Sequence, residues 1–215
     1  DARFCFVTTG RLVPYKGLSL TLEAIRSSPV LRSGALVVIG DGADLPAHKA
    51  FVSEHGLDDC VTFIGNVAHD DVAHHLQHAQ AFVFPSLREF GGSVVLEAMA
   101  SAVPSIIVDY GGPAELLAER AGIKLPMRRR QELVPLLRDA MERLATDHAR
   151  ARAMGDEAAH RALEHTWRSR AEQFEHIYRD VARAGAPRRD AAVRTTTVAA
   201  LAGARGRAEE ASARV

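Results

Sequence analysis

The chain has 215 residues, enough for one sizeable domain with a substantial core. Apolar residues make up 47%, as in ordinary globular proteins, and 27 Lys+Arg balance 27 Asp+Glu, so net charge points to neither nucleic acid nor a membrane surface. No apolar run reaches the length of a membrane span, no signal peptide is visible, and two distant cysteines, Cys5 and Cys60, build neither a disulfide framework nor a zinc pattern; the expected location is a reducing cytoplasm.

"RFCFVTT" (3–9) reads at once as a buried strand, as in a chain that starts inside a larger protein. "TTGRLVPYKG" follows it. Gly10 permits a close turn, and Arg11 and Lys16 put two cations at a strand–helix junction. A phosphate loop needs Gly directly before the Lys and Ser or Thr directly after; Tyr15 and Gly17 stand there instead. A helix starts near Lys16, with Leu18, Leu22 and Ile25 as one buried stripe. The next strand, "ALVVIG", runs into Gly40-Asp41-Gly42. Leu45 occupies the place of the third small residue of a dinucleotide fingerprint, so these glycines read as a tight turn. A helix begins near Leu45, "CVTFIG" is the third strand, and another helix begins near His69. There Asp70, His74 and His78 have metal-ligand spacing, but they lie opposite the apolar Val72, Leu76 and Ala79 and read as a solvated face.

The fourth strand, "AQAFVFP", ends at Pro85. Glu89, Phe90, Gly91, Gly92 and Ser93 then lead into the helix "VVLEAMAS". Glycines at a helix N-terminus leave unpaired N–H groups accessible, an arrangement that suits a diphosphate. Glu97 lies about 9 Å further along the axis, at 1.5 Å per residue. Two acids that far apart suit hydroxyl groups at opposite ends of one ligand better than one shared scissile bond.

"PSIIVD", a helix near Pro113 and "AGIKL" continue the alternation, which predicts an α/β fold with a doubly wound, mostly parallel Rossmann-like sheet. From Arg128 to Arg183 the pattern is helical. Leu133, Leu136, Leu137, Met141 and Leu144 form an inward stripe, and Trp167, Phe174, Ile177 and Tyr178 are the packing residues of a last helix. "MRRRQE" (127–132) reads as a solvated helix start. The Ala/Arg/Gly-rich residues 184–215 lack periodicity and read as a disordered tail.

Glu89 and Glu97 form an E-x7-E pattern, continued by "EAMASAVP" and "DYGGPAEL". "GRLVPYKG", "VVIGDGADL", "VTFIGNV" and the late "HTW…IY" occur in matching order. Together they resemble the nucleotide-sugar-binding C-terminal domain of retaining glycosyltransferases of the family-4 type, with the GT-B fold. The resemblance makes residues 1–183 the donor-binding domain. It implies that Arg11 and Lys16 bind the donor's diphosphate, that Glu89 holds the transferred sugar and that Glu97 binds the ribose hydroxyls. It also puts Gly10, Phe90, Gly91, Gly92 and Ser93 at the donor and Val67 near the base. The chain's E-F-G-G departs from the usual E-G-F-G. No metal or other cofactor is implied, and no Asp-x-Asp is present. The implied partners are the nucleotide-sugar donor and an N-terminal acceptor domain that this chain lacks, without which it would transfer nothing; the resemblance also allows peripheral association of the whole protein with the inner face of a membrane. Two other readings stay open: a nucleotide-sugar epimerase on the same fold, and a non-catalytic nucleotide-binding fragment.

Overall fold

A computed structural model describes residues 3–183; the expected tail, 184–215, lies outside the described residues. They fall into two units divided after Trp167. The first holds strands β1 (Cys5–Thr9), β2 (Ala35–Ile39), β3 (Val61–Gly65), β4 (Ala81–Phe84), β5 (Ser105–Val108) and β6 (Gly122–Leu125). They pair in parallel in the order β3-β2-β1-β4-β5-β6. This is the doubly wound sheet expected from the alternating pattern. Its winding reverses between β1 and β4, which meet through the Phe6–Ala81 and Val7–Phe82 pairs.

Side chains alternate between two cores because strand residues point to opposite faces in turn. Phe6, Leu36, Val83 and Ile106 enter one core; Val7, Ile39, Phe82 and Ile107 enter the other. Helices α1 (Leu18–Arg26), α2 (Pro29–Arg32), α3 (Leu45–Glu54) and α7 (Arg130–Thr146) cover the first face. Helices α4 (His69–Gln77) and α5 (Ser93–Ala100) cover the second, followed by α6 (Gly111–Leu116). Helix α8 (His148–Ala162) contributes Ala151 and Met154 to the first core and Ala158 and Ala162 to the second.

Two expectations are corrected. Leu136 is 36% exposed, and Ala140 takes the inward position between Leu137 and Met141. A helix turns 100° per residue, so 133, 137, 140, 141 and 144 share one stripe that 136 leaves. Trp167, expected as a packing residue of the last helix, is 92% exposed within this chain. The amphipathic helix α9 (Trp167–Arg183) begins at that residue and, from Arg168 on, makes up the described part of the second unit. Phe174, Ile177, Tyr178 and Val181 form its exposed apolar stripe, with the rings of Phe174 and Tyr178 6.3 Å apart. Among the described residues, no helix is long and apolar enough to cross a membrane.

Candidate functional site

The loops leaving β1 and β4 meet at the point where the winding of the sheet reverses, the place where open parallel sheets bind ligands. The loop after β1 turns at Gly10, whose N–H donates to the Ile39 carbonyl at 3.0 Å; Leu12 N–H donates to Asp41 O at 2.9 Å. Gly40 and Gly42 allow this approach, since a Cβ on either would lie 2.1 or 2.3 Å from the Gly10 or Leu12 carbonyl oxygen. Their role is close packing of two strand tips. The chain then makes a single 3-10 turn, Pro14–Lys16, closed by Gly17 at φ 77°. A Cβ on Gly17 would lie 2.3 Å from the Pro85 carbonyl oxygen. The first loop is thus seated on the end of β4.

This seating brings Lys16 to Glu89, 73 positions away in sequence. Lys16 Nζ donates to Glu89 Oε2, and the two side chains are only 18% and 16% exposed. The ammonium also faces the rings of Phe84 and Tyr15, 5.1 and 5.8 Å from their centroids, a favourable cation–π arrangement. Burial pushes the Glu89 carboxyl upward. The hydrogen bond and charge of Lys16, with the Phe90 and Gly92 amides, outweigh it and hold the group below the ordinary carboxylate value. Glu89 is therefore ionised at neutral pH. Arg11 is exposed and donates from Nη2 to the Tyr15 hydroxyl at 2.9 Å.

The loop from Glu89 to α5 is held by a second glycine pair. Gly112 N–H donates to the Phe90 carbonyl at 3.1 Å. A Cβ on Gly111 would meet Glu89 O at 2.3 Å, and one on Gly112 would meet Phe90 O at 2.2 Å. Pro113 packs against Gly92, the N-cap of α5, which has φ 72° and no side-chain cap. Gly91 and Ser93 are exposed beside it. The Phe90 ring is 98% exposed, although its backbone is bonded on both sides: its N–H donates to Glu89 Oε1 at 3.1 Å and its carbonyl accepts from Gly112.

Glu97 stands apart from the Lys16–Glu89 pair. It is half-buried on α5 and lines a cavity of about 220 Å³ with His69, Asp70, Leu76 and Ser101. Burial raises its carboxyl pKa, partly offset by His69. Val67, half-buried just before α4, packs against the second core. At the C-terminal end of α4, the Nδ1 of the capping residue His78 lies 2.7 Å from the His74 carbonyl oxygen. Among the described residues, no group of three or more His, Cys, Asp or Glu could hold a metal ion.

Tyr15, Phe84, His69 and the Gly111–Gly112 pair were not assigned roles from sequence. The glycines carried a signal, a second Gly-Gly followed by Pro after a buried strand. Tyr15 carried only its position beside Lys16.

The fold is a doubly wound, parallel, Rossmann-like α/β domain with a largely enclosed Lys–Glu pair beside the point where its winding reverses. The chain belongs to the glycosyl transferases group 1 family, whose sequence profile matches residues 1–161. It is 29% identical over 186 residues to an alpha-D-kanosaminyltransferase of Streptomyces kanamyceticus, covering 84% of this chain and 47% of that protein. It is 34% identical over 158 residues to a GDP-mannose-dependent alpha-(1-6)-phosphatidylinositol monomannoside mannosyltransferase of Mycobacterium tuberculosis, covering 69% and 40% respectively. Among solved structures, the sucrose-phosphate synthase of Thermosynechococcus elongatus superposes with a TM-score of 0.73 at 28% identity, over 85% of this chain and 46% of that one. The chain thus spans less than half the length of each of these relatives.

Proposed function

We propose that this chain is the donor-binding half of a retaining GT-B glycosyltransferase of the family-4 type, which moves a sugar from a nucleoside diphosphate sugar to an acceptor held by another domain. The observation that carries the reading is the Lys16–Glu89 pair at the sheet's reversal point. As a glycosidic bond to a diphosphate breaks, the sugar gains oxocarbenium character and the leaving group gains negative charge. A fixed carboxylate beside a fixed ammonium mirrors that charge separation. Glu89, ionised and with two acceptor oxygens, suits the hydroxyls and growing positive charge of the sugar. Lys16, Arg11 and the uncapped N-terminus of α5 suit the diphosphate.

In the same reading, Glu97 accepts the ribose hydroxyls, Val67 lies by the base, and the backbone at Gly10 and from Phe90 to Ser93 lines the donor. The GDP-mannose of the mycobacterial relative's name makes a guanine nucleotide one candidate donor. Retention, independence from added metal and inactivity of this chain alone belong to the proposal.

Titration of this chain with UDP, GDP and ADP tests it. One of the three binds, Lys16→Ala and Arg11→Ala weaken that binding, and EDTA does not. If none binds, even when the acceptor domain is supplied, the reading fails. In the whole enzyme, an NMR spectrum of the first product showing inverted anomeric configuration would remove the retaining assignment.

A further inference from the structure

The structure assigns Tyr15 as a positioning residue that aligns both cations of the proposed diphosphate site, Arg11 through its hydroxyl and Lys16 through its ring. The inference rests on the donor-binding reading above and adds to it the residue that orders its positive charges.

Tyr15 is the middle residue of the turn Pro14–Lys16. Its carbonyl accepts from Leu87 N–H at 2.8 Å and from Ser86 Oγ at 3.3 Å, both in the loop leaving β4. Closure of the turn at Gly17 against Pro85 fixes its other side. Tyr15 therefore projects its side chain from a backbone that ties the loop after β1 to the segment leaving β4. Its hydroxyl accepts from Arg11 Nη2 at 2.9 Å, and its ring lies 5.8 Å from Lys16 Nζ.

Of the two cations, Arg11 depends more on this help. Lys16 is already enclosed by Glu89 and Phe84. Arg11 is exposed, and the tyrosine hydroxyl is the partner seen for its guanidinium among the described residues. An exposed Arg has many rotamers, and ordering it at the moment of binding costs affinity. A partner that restrains it beforehand lowers that cost. The phenol suits this task because it accepts from the guanidinium without neutralising it, as a carboxylate would. The charge stays available to a phosphate.

The test is a double-mutant cycle between Tyr15→Phe and Arg11→Ala. Binding of UDP, GDP and ADP to this chain is followed by NMR titration at low and at physiological salt. Tyr15→Phe keeps the ring beside Lys16 and removes only the hydroxyl. It weakens the best-bound nucleotide about fivefold, the scale of one ordinary hydrogen bond at an exposed site, and leaves the thermal midpoint unchanged. In the Arg11→Ala background the same change has an effect of about twofold or less.

An undiminished loss in the Arg11→Ala background would overturn the assignment, because the hydroxyl would then act independently of Arg11. An unaltered affinity for Tyr15→Phe, with Arg11→Ala still weakening binding, would also overturn it and leave the diphosphate reading standing. If neither Arg11→Ala nor Lys16→Ala weakens binding, the diphosphate reading itself falls, and the role of Tyr15 with it.

Discussion

Replacing Lys16 by Met keeps most of the side-chain packing on Phe84 and Tyr15 but removes the charge that faces Glu89. The carboxylate, 16% exposed, then keeps its burial and its Phe90 and Gly92 amides without its cation. Removing one partner costs 3–5 kcal/mol for a fully buried pair and about 0–1 kcal/mol for an exposed one. With both groups more than four-fifths covered yet at a rim, about 2 kcal/mol is expected. At a urea slope of about 2 kcal/mol/M this moves the unfolding midpoint down by about 1 M. The cost also depends on pH. Glu89 has a folded pKa below its ordinary value of 4.5, so the pair's contribution is present above pH 4.5 and is lost as pH falls through the folded pKa. The difference between Lys16→Met and the parent should therefore narrow in acid. Glu89→Gln added to Lys16→Met should recover part of the loss, since no buried charge is then stranded. In the whole enzyme the same substitution should reduce turnover at least about 100-fold, the effect of losing one preorganised donor to a developing anion. Unchanged urea midpoints at pH 7 would refute the energetic account of the pair, and near-normal turnover would refute the catalytic role proposed for Lys16.

Three further substitutions test other parts of the structure. Ala102 has φ 58°, the one left-handed non-glycine backbone among the described residues; Ala102→Gly should stabilise the chain by about 0.5–1 kcal/mol, seen as a higher urea midpoint. Gly112→Ala would place a Cβ 2.2 Å from the Phe90 carbonyl oxygen; it should cost at least about 2 kcal/mol by forcing two backbones apart and should weaken nucleotide binding with it. Glu97→Gln should raise the thermal midpoint at pH 7, because burial raises the folded pKa of Glu97 and makes its ionised form unfavourable. That gain should vanish below about pH 4.5, where the acid is neutral whether folded or not, and the substitution should weaken nucleotide binding if Glu97 holds ribose.

The sheet was legible because parallel strands covered on both faces need uninterrupted apolar runs, and "AFVF" and "SIIV" are buried at every residue. The "AGIKL" edge strand is fainter because Ile123 and Lys124 are half-exposed. Helix α2 was missed because four residues carry no period, although Ser28 before Pro29 is a capping signal; its side chain accepts from Leu31 N–H. Leu136 was misplaced because hydrophobicity alone does not say which of two neighbouring leucines faces inward. At the site, sequence places Lys16 and Glu89 at the ends of two strands, and the strand order brings those ends side by side. It does not reveal that the two side chains meet, since that depends on Gly17 letting the turn sit on Pro85. The exposed ring of Phe90 was likewise hidden, because the Gly111–Gly112 pair, far downstream in the chain, fixes the loop that displays it.

The seam between β1 and β4 has one more consequence. It joins two three-stranded halves through two residue pairs, and Lys16 and Glu89 stand on opposite banks of it. A molecule gripped by both banks would act as a rivet across the join. Occupancy would then resist parting of the halves as well as unfolding of either one, and the shortest shared border of the sheet would become its most reinforced line.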